Sequence, residues 1–255
     1  MRTTDNTMLI TGGGSGIGRG LAEAFHRLGN QVIIAGRGQK SLDETIAANP
    51  GMKSVALDVS DPKSIQSFAA RVTKDYPSLN VLINNAGIMR PENFLETLND
   101  MSTAEKTVTT NLLGPIRLTA ALLPLLRKQP RATIMTVSSG LAFVPFAVTP
   151  TYCATKAAIH SYTQSLRYQL KGTKVEVIEL IPPYVQTTLM GDQQADDPRA
   201  MPLDEFIDEA MSILKSQPDV KEICVEKVYP LRFSAEQGQQ KYEEFFEQFN
   251  ATAHK

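Results

Sequence analysis

Tyr152 and Lys156 stand four apart in the segment YCATK, and Ser139 precedes the tyrosine by thirteen positions. In a helix, a spacing of four puts two side chains on one face. A phenol titrates near ~10, but a neighbouring ammonium favours the phenolate and makes tyrosine usable as an acid or base closer to neutrality. Such a tyrosine can protonate the oxygen of a carbonyl that receives hydride, or deprotonate an alcohol that gives hydride up. Ser139 follows an apolar run at 132–137, and from there its hydroxyl can donate to the same oxygen and hold it against the phenol. A Y-x-x-x-K pair also arises by coincidence on exposed helices, so its surroundings decide.

A second group lies near the start of the chain. TGGGSGIG, residues 11–18, follows a short apolar run and opens a helical pattern. Side-chain-free positions there let backbone amides and the positive end of a helix approach a pyrophosphate. The G-x-G-x-x-G fingerprint fails in every register, and no Lys-Ser or Lys-Thr follows to make a Walker loop. The spacing present is G-x-x-x-G-x-G, at Gly12, Gly16 and Gly18. A glycine-rich turn without a ligand is the alternative. The second apolar run ends in Ala35-Gly36-Arg37, at the place where a dinucleotide site meets the adenosine ribose. A carboxylate there would bond the 2′-hydroxyl of NAD, whereas an arginine accommodates the 2′-phosphate of NADP, so the sequence favours NADP(H) over NAD(H). A solvated surface arginine is the other reading of Arg37.

These residues need a scaffold, and the chain has the pattern of one. Short aliphatic runs at 8–11, 31–35, 54–57, 81–84, 132–137, 175–180 and 222–225 alternate with helical segments, the signature of β-α units and a mostly parallel sheet of about seven strands. Continuous apolarity marks strands covered on both faces, so the fold class is α/β, a three-layer doubly wound sheet. Ile17, Leu21, Phe25 and Leu28 recur at near-helical spacing, and Gly29-Asn30 ends that segment. Asp61-Pro62 starts another helix. Longer helices are predicted over 102–128 and 151–170. No repeat or linker divides the 255 residues, so a single domain over 1–255 is expected, least regular at 186–202.

Composition narrows the classes. With 26 basic against 27 acidic residues, bulk charge gives no case for a nucleic-acid or anionic-membrane partner. Residues 1–7 are polar, and the apolar segment 112–126 is too short and too broken to span a bilayer, so a soluble, cytoplasmic protein is expected. Cys153 and Cys224 form no disulfide framework or zinc spacing, and Cys153 reads as a packing residue. His26, His160 and His254 have no partner at ligand spacing, so no metal is expected. Ser138 and Ser139 lack the G-x-S-x-G of a hydrolase.

Taken together, TGGGSGIG, NNAG at 84–87, Asn111 in NLLG, the spacing from Ser139 to Tyr152, YCATK and PPYVQT resemble the short-chain dehydrogenase/reductase family over about residues 8–190. The resemblance implies a Rossmann-type fold and NAD(P)-dependent hydride transfer between a nicotinamide and a carbonyl or alcohol. Tyr152 would be the acid/base, Lys156 would lower its pKa and bond the nicotinamide ribose, Ser139 would orient the substrate, and Asn111 would support a proton relay behind Lys156. Gly12, Gly16, Ile17 and Gly18, with Ser15, would hold the pyrophosphate, and Asp58 and Val59 would border adenine. Asn85, Ala86 and Gly87 would line the ribose side, and Pro182, Val185 and Thr187 the nicotinamide. An NADP(H)-sensing regulator of the same fold without turnover is the alternative.

The chain departs from the family at two places. Pro182-Pro183 replaces the usual Pro-Gly, which puts the path of that loop in question. The C-terminal region 226–255 lacks the usual Asp-Gly-Gly strand end, and its KYEEFFEQF reads as an amphipathic helix. Met89, Arg90, residues 141–148, Tyr184 and the 186–202 loop are candidates for the substrate pocket, with the loop around Met190 as a lid. The apolar 112–126 segment, paired with the helix of Tyr152, is the expected homodimer surface.

Overall fold

The computed structural model describes residues 1–96 and 100–251; His254 lies outside them. Seven strands form one wholly parallel sheet: β1 (Thr7–Thr11), β2 (Gln31–Gly36), β3 (Lys53–Ala56), β4 (Val81–Asn84), β5 (Ala132–Val137), β6 (Val175–Ile181) and β7 (Glu222–Cys224). Their order is β3-β2-β1-β4-β5-β6-β7. The helices are α1 (Gly16–Arg27), α2 (Gln39–Ala48), α3 (Pro62–Asp75), α4 (Ser102–Val108), α5 (Gly114–Leu126), α6 (Pro150–Gln169), α7 (Asp192–Ala195), α8 (Leu203–Ser216), α9 (Tyr229–Arg232) and α10 (Gln239–Ala251).

Alternation along each strand builds two apolar layers. On β1, Met8 and Ile10 face one side, with Leu21 and Phe25 of α1, Leu42 of α2, and Phe206 and Leu214 of α8. Leu9 faces the other side, with Phe68 and Val72 of α3, Leu118 and Leu122 of α5, and Leu166 of α6. Both faces of the sheet are therefore covered, which is why the strands read as continuous apolar runs. Chain order reverses between β1 and β4, so the loops leaving their carboxyl ends diverge and open a crevice there.

The helix predicted over 102–128 is interrupted. Pro115 has no N–H to give the Asn111 carbonyl four residues back, and the ladder widens into a π turn at Thr109–Leu113, where Gly114 N donates to Thr109 O. The chain also passes so close to β3's following loop that a Cβ on Gly114 would lie 2.7 Å from Val59 O. The α3 start is as expected, with Pro62 in the first turn and the Asp61 carboxylate accepting from Lys63 N at 2.9 Å.

Candidate active site

A cleft of about 860 Å³ opens at the carboxyl ends of β1, β4, β5 and β6. The glycine loop, the 85–90 segment, Ser139, Tyr152, Lys156 and the 182–190 loop all line it. Residues up to 178 positions apart, Gly12 and Met190, thus meet because each follows the same end of a parallel strand.

The loop after β1 is shaped by what a side chain would strike. Gly12 and Gly16 have φ of +68° and +49°, and a Cβ on Gly18 would collide with Gly12 O. Asn85 braces the loop from β4 by donating from Nδ2 to Thr11 O at 2.9 Å, while Thr11 Oγ1 accepts from the amides of Asn85 and Ala86 at 3.0 Å each. Ser15 caps α1 without a side-chain hydrogen bond, so the first amides of a twelve-residue helix face the cleft uncapped. The buried Ser138 Oγ, on the wall of the same cleft, also has no partner among the described residues. Bare backbone, uncapped amides and an unpartnered hydroxyl suit a pyrophosphate-containing dinucleotide.

Arg37 and Asp58 stand outside the cleft proper, past the ends of β2 and β3, with Arg37 exposed. Asp58 accepts from Ser60 N at 2.9 Å and from Ser60 Oγ at 2.6 Å. Burial opposes its charge, but those bonds and the Arg37 guanidinium hold its carboxyl below the usual range. Val59 is buried against Gly114. Ile17, Ser15, Gly87, Pro182, Val185 and Thr187 all lie on the cleft wall. The doubled proline leaves the loop tied down, since Pro182 O accepts from Gly140 N at 2.9 Å.

Deeper in the cleft, Tyr152 and Lys156 emerge from one face of α6, both 6% exposed, with Lys156 Nζ 5.5 Å from the centre of the Tyr152 ring. Burial pushes the phenol well above its ordinary range, and a hydrogen bond with Ser139 opposes that. Burial pulls Lys156 down to about 8, against the charge of Glu179. Lys156 Nζ donates to Val137 O at 2.7 Å. The structure places Asn111 on the π turn with its side chain engaged elsewhere: Oδ1 accepts from Ile88 N at 2.9 Å and Nδ2 donates to Ile88 O at 2.8 Å. This clamp fixes the backbone that follows NNAG.

Of the expected apolar wall, Leu141, Phe146 and Val148 line the cleft. Phe143 instead turns away onto His160 and Arg232, and Val144 is fully buried in the core. The 186–202 stretch has more order than its composition predicts. Val185 bridges Met201, and the buried Gln194 donates to Val185 O at 2.8 Å and to Thr187 Oγ1 at 3.1 Å, while its Oε1 accepts from Met190 N at 3.0 Å. Sequence reasoning missed Gln194, as no spacing distinguishes it from a solvated loop amide. It also missed Leu231 and Phe249, which reach the cleft from α9 and α10. The amphipathic tail predicted at the C-terminus is α10; it docks through Asn250, which accepts from Ala147 N at 2.6 Å and donates to Pro145 O at 3.1 Å, with Phe249 edge-on to Phe146. Cys153 packs beside Tyr152 as expected, and burial pushes its thiol up. No helix among the described residues is long and apolar enough to cross a membrane.

Comparison with known proteins agrees with this geometry. The short chain dehydrogenase family model matches residues 6–198. The chain is 41% identical over 253 residues to the uncharacterized oxidoreductase DltE of Bacillus subtilis (strain 168), covering 98% of each chain. It is 31% identical over 207 residues to an NADP-dependent 3-hydroxy acid dehydrogenase of Schizosaccharomyces pombe, covering 77% of this chain and 80% of that one. Its fold superposes with a TM-score of 0.82, at 23% identity, on a short chain dehydrogenase from Burkholderia cenocepacia J2315 whose crystal structure holds NADP, covering 96% and 99% of the two chains. The protein belongs to the short-chain dehydrogenase/reductase family of oxidoreductases, on a Rossmann fold that binds a nicotinamide cofactor.

Proposed function

We propose that the protein interconverts an aldehyde or ketone and the corresponding alcohol with NADP(H), using Tyr152 as the acid/base. The observation that carries this is the convergence of Ser139, Tyr152 and Lys156 in the cleft that begins at the uncapped amides of α1. The cofactor supplies or accepts the hydride. In the reducing direction, Ser139 and Tyr152 donate to the carbonyl oxygen, and the Tyr152 hydroxyl gives up its proton as charge develops there. A phenol kept protonated by burial is suited to that donation. The Lys156 ammonium stabilises the phenolate left behind. Asn111 holds the Ile88 backbone, and with it the ribose-side wall of Asn85, Ala86 and Gly87, in place.

The preference for NADP(H) rests on Arg37 at the end of β2, where a guanidinium fork matches a 2′-phosphate. The name of the fission-yeast relative points the same way. The substrate end is walled by Leu141, Phe146, Val148, Leu231 and Phe249, with Arg90 at the rim, which suits a carbonyl with an apolar substituent. We place the protein in the cytoplasm as a homodimer through α5 and α6; on α5, Ile116 and Leu123 remain partly exposed on this copy. The test is NADPH oxidation with a panel of reactive aldehydes and ketones. Wild-type turnover that falls at least a hundredfold in Tyr152→Phe supports the reading, on the ~10²–10⁴-fold value of positioned proton transfer. Binding of NADPH with equal, background oxidation by both proteins supports a regulator instead.

A further inference from the structure

Behind the cleft, on the side of Lys156 away from Tyr152, the fold buries a carboxylate that none of the recognised motifs contains. Glu179 is 0% exposed in the middle of β6. A buried carboxylate is costly unless it is paired, and this one lies in register with a second, Glu222 on β7. Each has a cation. Both Glu179 oxygens take His160 Nδ1, at 2.9 and 3.0 Å, and Glu222 takes Arg232 Nε at 2.8 Å. The His160, Glu179 and Glu222 ligand atoms lie within 4.8 Å of one another. Sequence spacing hides this cluster, because its members come from α6, β6, β7 and α9.

Placement relates the cluster to the active site. Lys156 and His160 are one turn apart on α6, so both look down on the same pair of strands. Lys156 bonds Val137 O on β5, and Val137 is the residue after Thr136, the register partner of Glu179. The charged and titratable groups around the lysine and this carboxylate are Tyr152 and His160 from α6, Glu222 and Cys224 from β7, and Arg232 from α9; β5 contributes none. The Arg232 guanidinium is committed to Glu222 and to the faces of Phe143 and Phe233. The charge of Glu179 is felt by both Lys156 and Cys224.

We propose that Glu179, held in place by His160, is a positioning residue for the active site: its buried carboxylate is the counter-charge that keeps Lys156 an ammonium, and it acts without touching substrate or cofactor. A neutral lysine could neither stabilise a phenolate nor donate all three of its hydrogen bonds. Burial alone drives the ammonium toward neutrality, and a fixed anion on its far side opposes that at a point where solvent cannot. The consequence for turnover rests on the proposed reductase activity; the effect on the lysine does not.

The experiment is a pH titration of Lys156 in the full-length protein, followed by the lysine ¹³Cε resonance and assigned by its loss in Lys156→Met. Glu179→Gln keeps the shape of the side chain and an acceptor for His160 Nδ1 while removing the charge. The Lys156 midpoint is expected to fall by about one pH unit in this variant, the low end of the effect of a nearby opposite charge, and an unchanged midpoint overturns the proposal. His160→Gln keeps a side-chain N–H for the carboxylate, so the anion stays held and the midpoint should not fall; a fall there also overturns it, which keeps the test decisive if Glu179→Gln does not fold. With turnover, the alkaline limb of kcat should move down with the midpoint in Glu179→Gln, whereas a purely structural ion pair would lower activity at all pH values alike. A shifted midpoint in a protein without turnover supports the counter-charge and sinks the reductase reading instead.

Discussion

Lys156→Met should make the cofactor-free protein more stable while removing its activity. Burial holds the ammonium at about 8, against 10.5 for a free lysine side chain. That difference corresponds to roughly 3 kcal/mol of folding free energy lost at neutral pH, at about 1.4 kcal/mol per pH unit. Methionine fills nearly the same volume without the charge, but gives up the bond to Val137 O, worth about 1–1.5 kcal/mol. The net gain is about 2 kcal/mol, or roughly 4–8 °C in Tm for a chain of this size. The sign with pH follows from the folded value lying below the unfolded one. Between about pH 8 and 10.5 the unfolded chain binds more protons, so wild-type stability rises with pH through that window and the advantage of the variant fades. Tyr152, whose phenol is pushed up in the folded state, works in the opposite direction only above about pH 10, beyond the two pH values compared. Thermal unfolding of both proteins without cofactor, at about pH 7 and about pH 9.5, checks this. A variant less stable than wild type by the same amount at both pH values would refute the burial argument.

Arg37→Ala should weaken NADPH binding by about 10- to 100-fold, the value of a charge-assisted bond to phosphate, and leave NADH binding nearly unchanged. Fluorescence titration with both cofactors measures it, and equal losses for the two would place Arg37 away from the 2′-phosphate. Phe249→Ala should widen the substrate end of the cleft and raise kcat/KM for bulky ketones relative to small aldehydes by about tenfold, within the ~1–3 kcal/mol that apolar fit contributes to selectivity. Steady-state rates on a size-graded carbonyl series check this; a uniform loss on all substrates would make α10 only a structural brace.

How much the sequence reveals differs from element to element. Strands β4 and β5 have the predicted bounds, because a strand covered on both faces leaves an unbroken apolar run between polar residues. Helices α2 and α8 go unread, although Leu203, Phe206, Ile207, Ala210, Met211 and Leu214 recur at helical spacing; no glycine motif or catalytic pair draws the eye there. The break at Thr109–Leu113 depends on one missing N–H at Pro115 and on the close approach of Val59, and an apolar pattern is blind to both. Ser139, Tyr152, Lys156 and the glycine loop are legible because their chemistry depends on local spacing. Glu179 and His160, nineteen residues apart on a strand and a helix, are not, and neither is Phe249, which reaches the cleft through a contact with Phe146 more than a hundred residues earlier. Pairings of that kind exist only once the sheet has formed.

Hydride transfer itself is the central claim. It can be followed with NADPH deuterated at C4 and a ketone that the panel identifies as a substrate, by mass spectrometry of the alcohol. Deuterium on the carbinol carbon with wild-type protein, at least a hundredfold slower with Tyr152→Phe in line with the ~10²–10⁴-fold value of positioned proton transfer, is the predicted result. An alcohol without deuterium, or equal rates from the two proteins, would contradict the account.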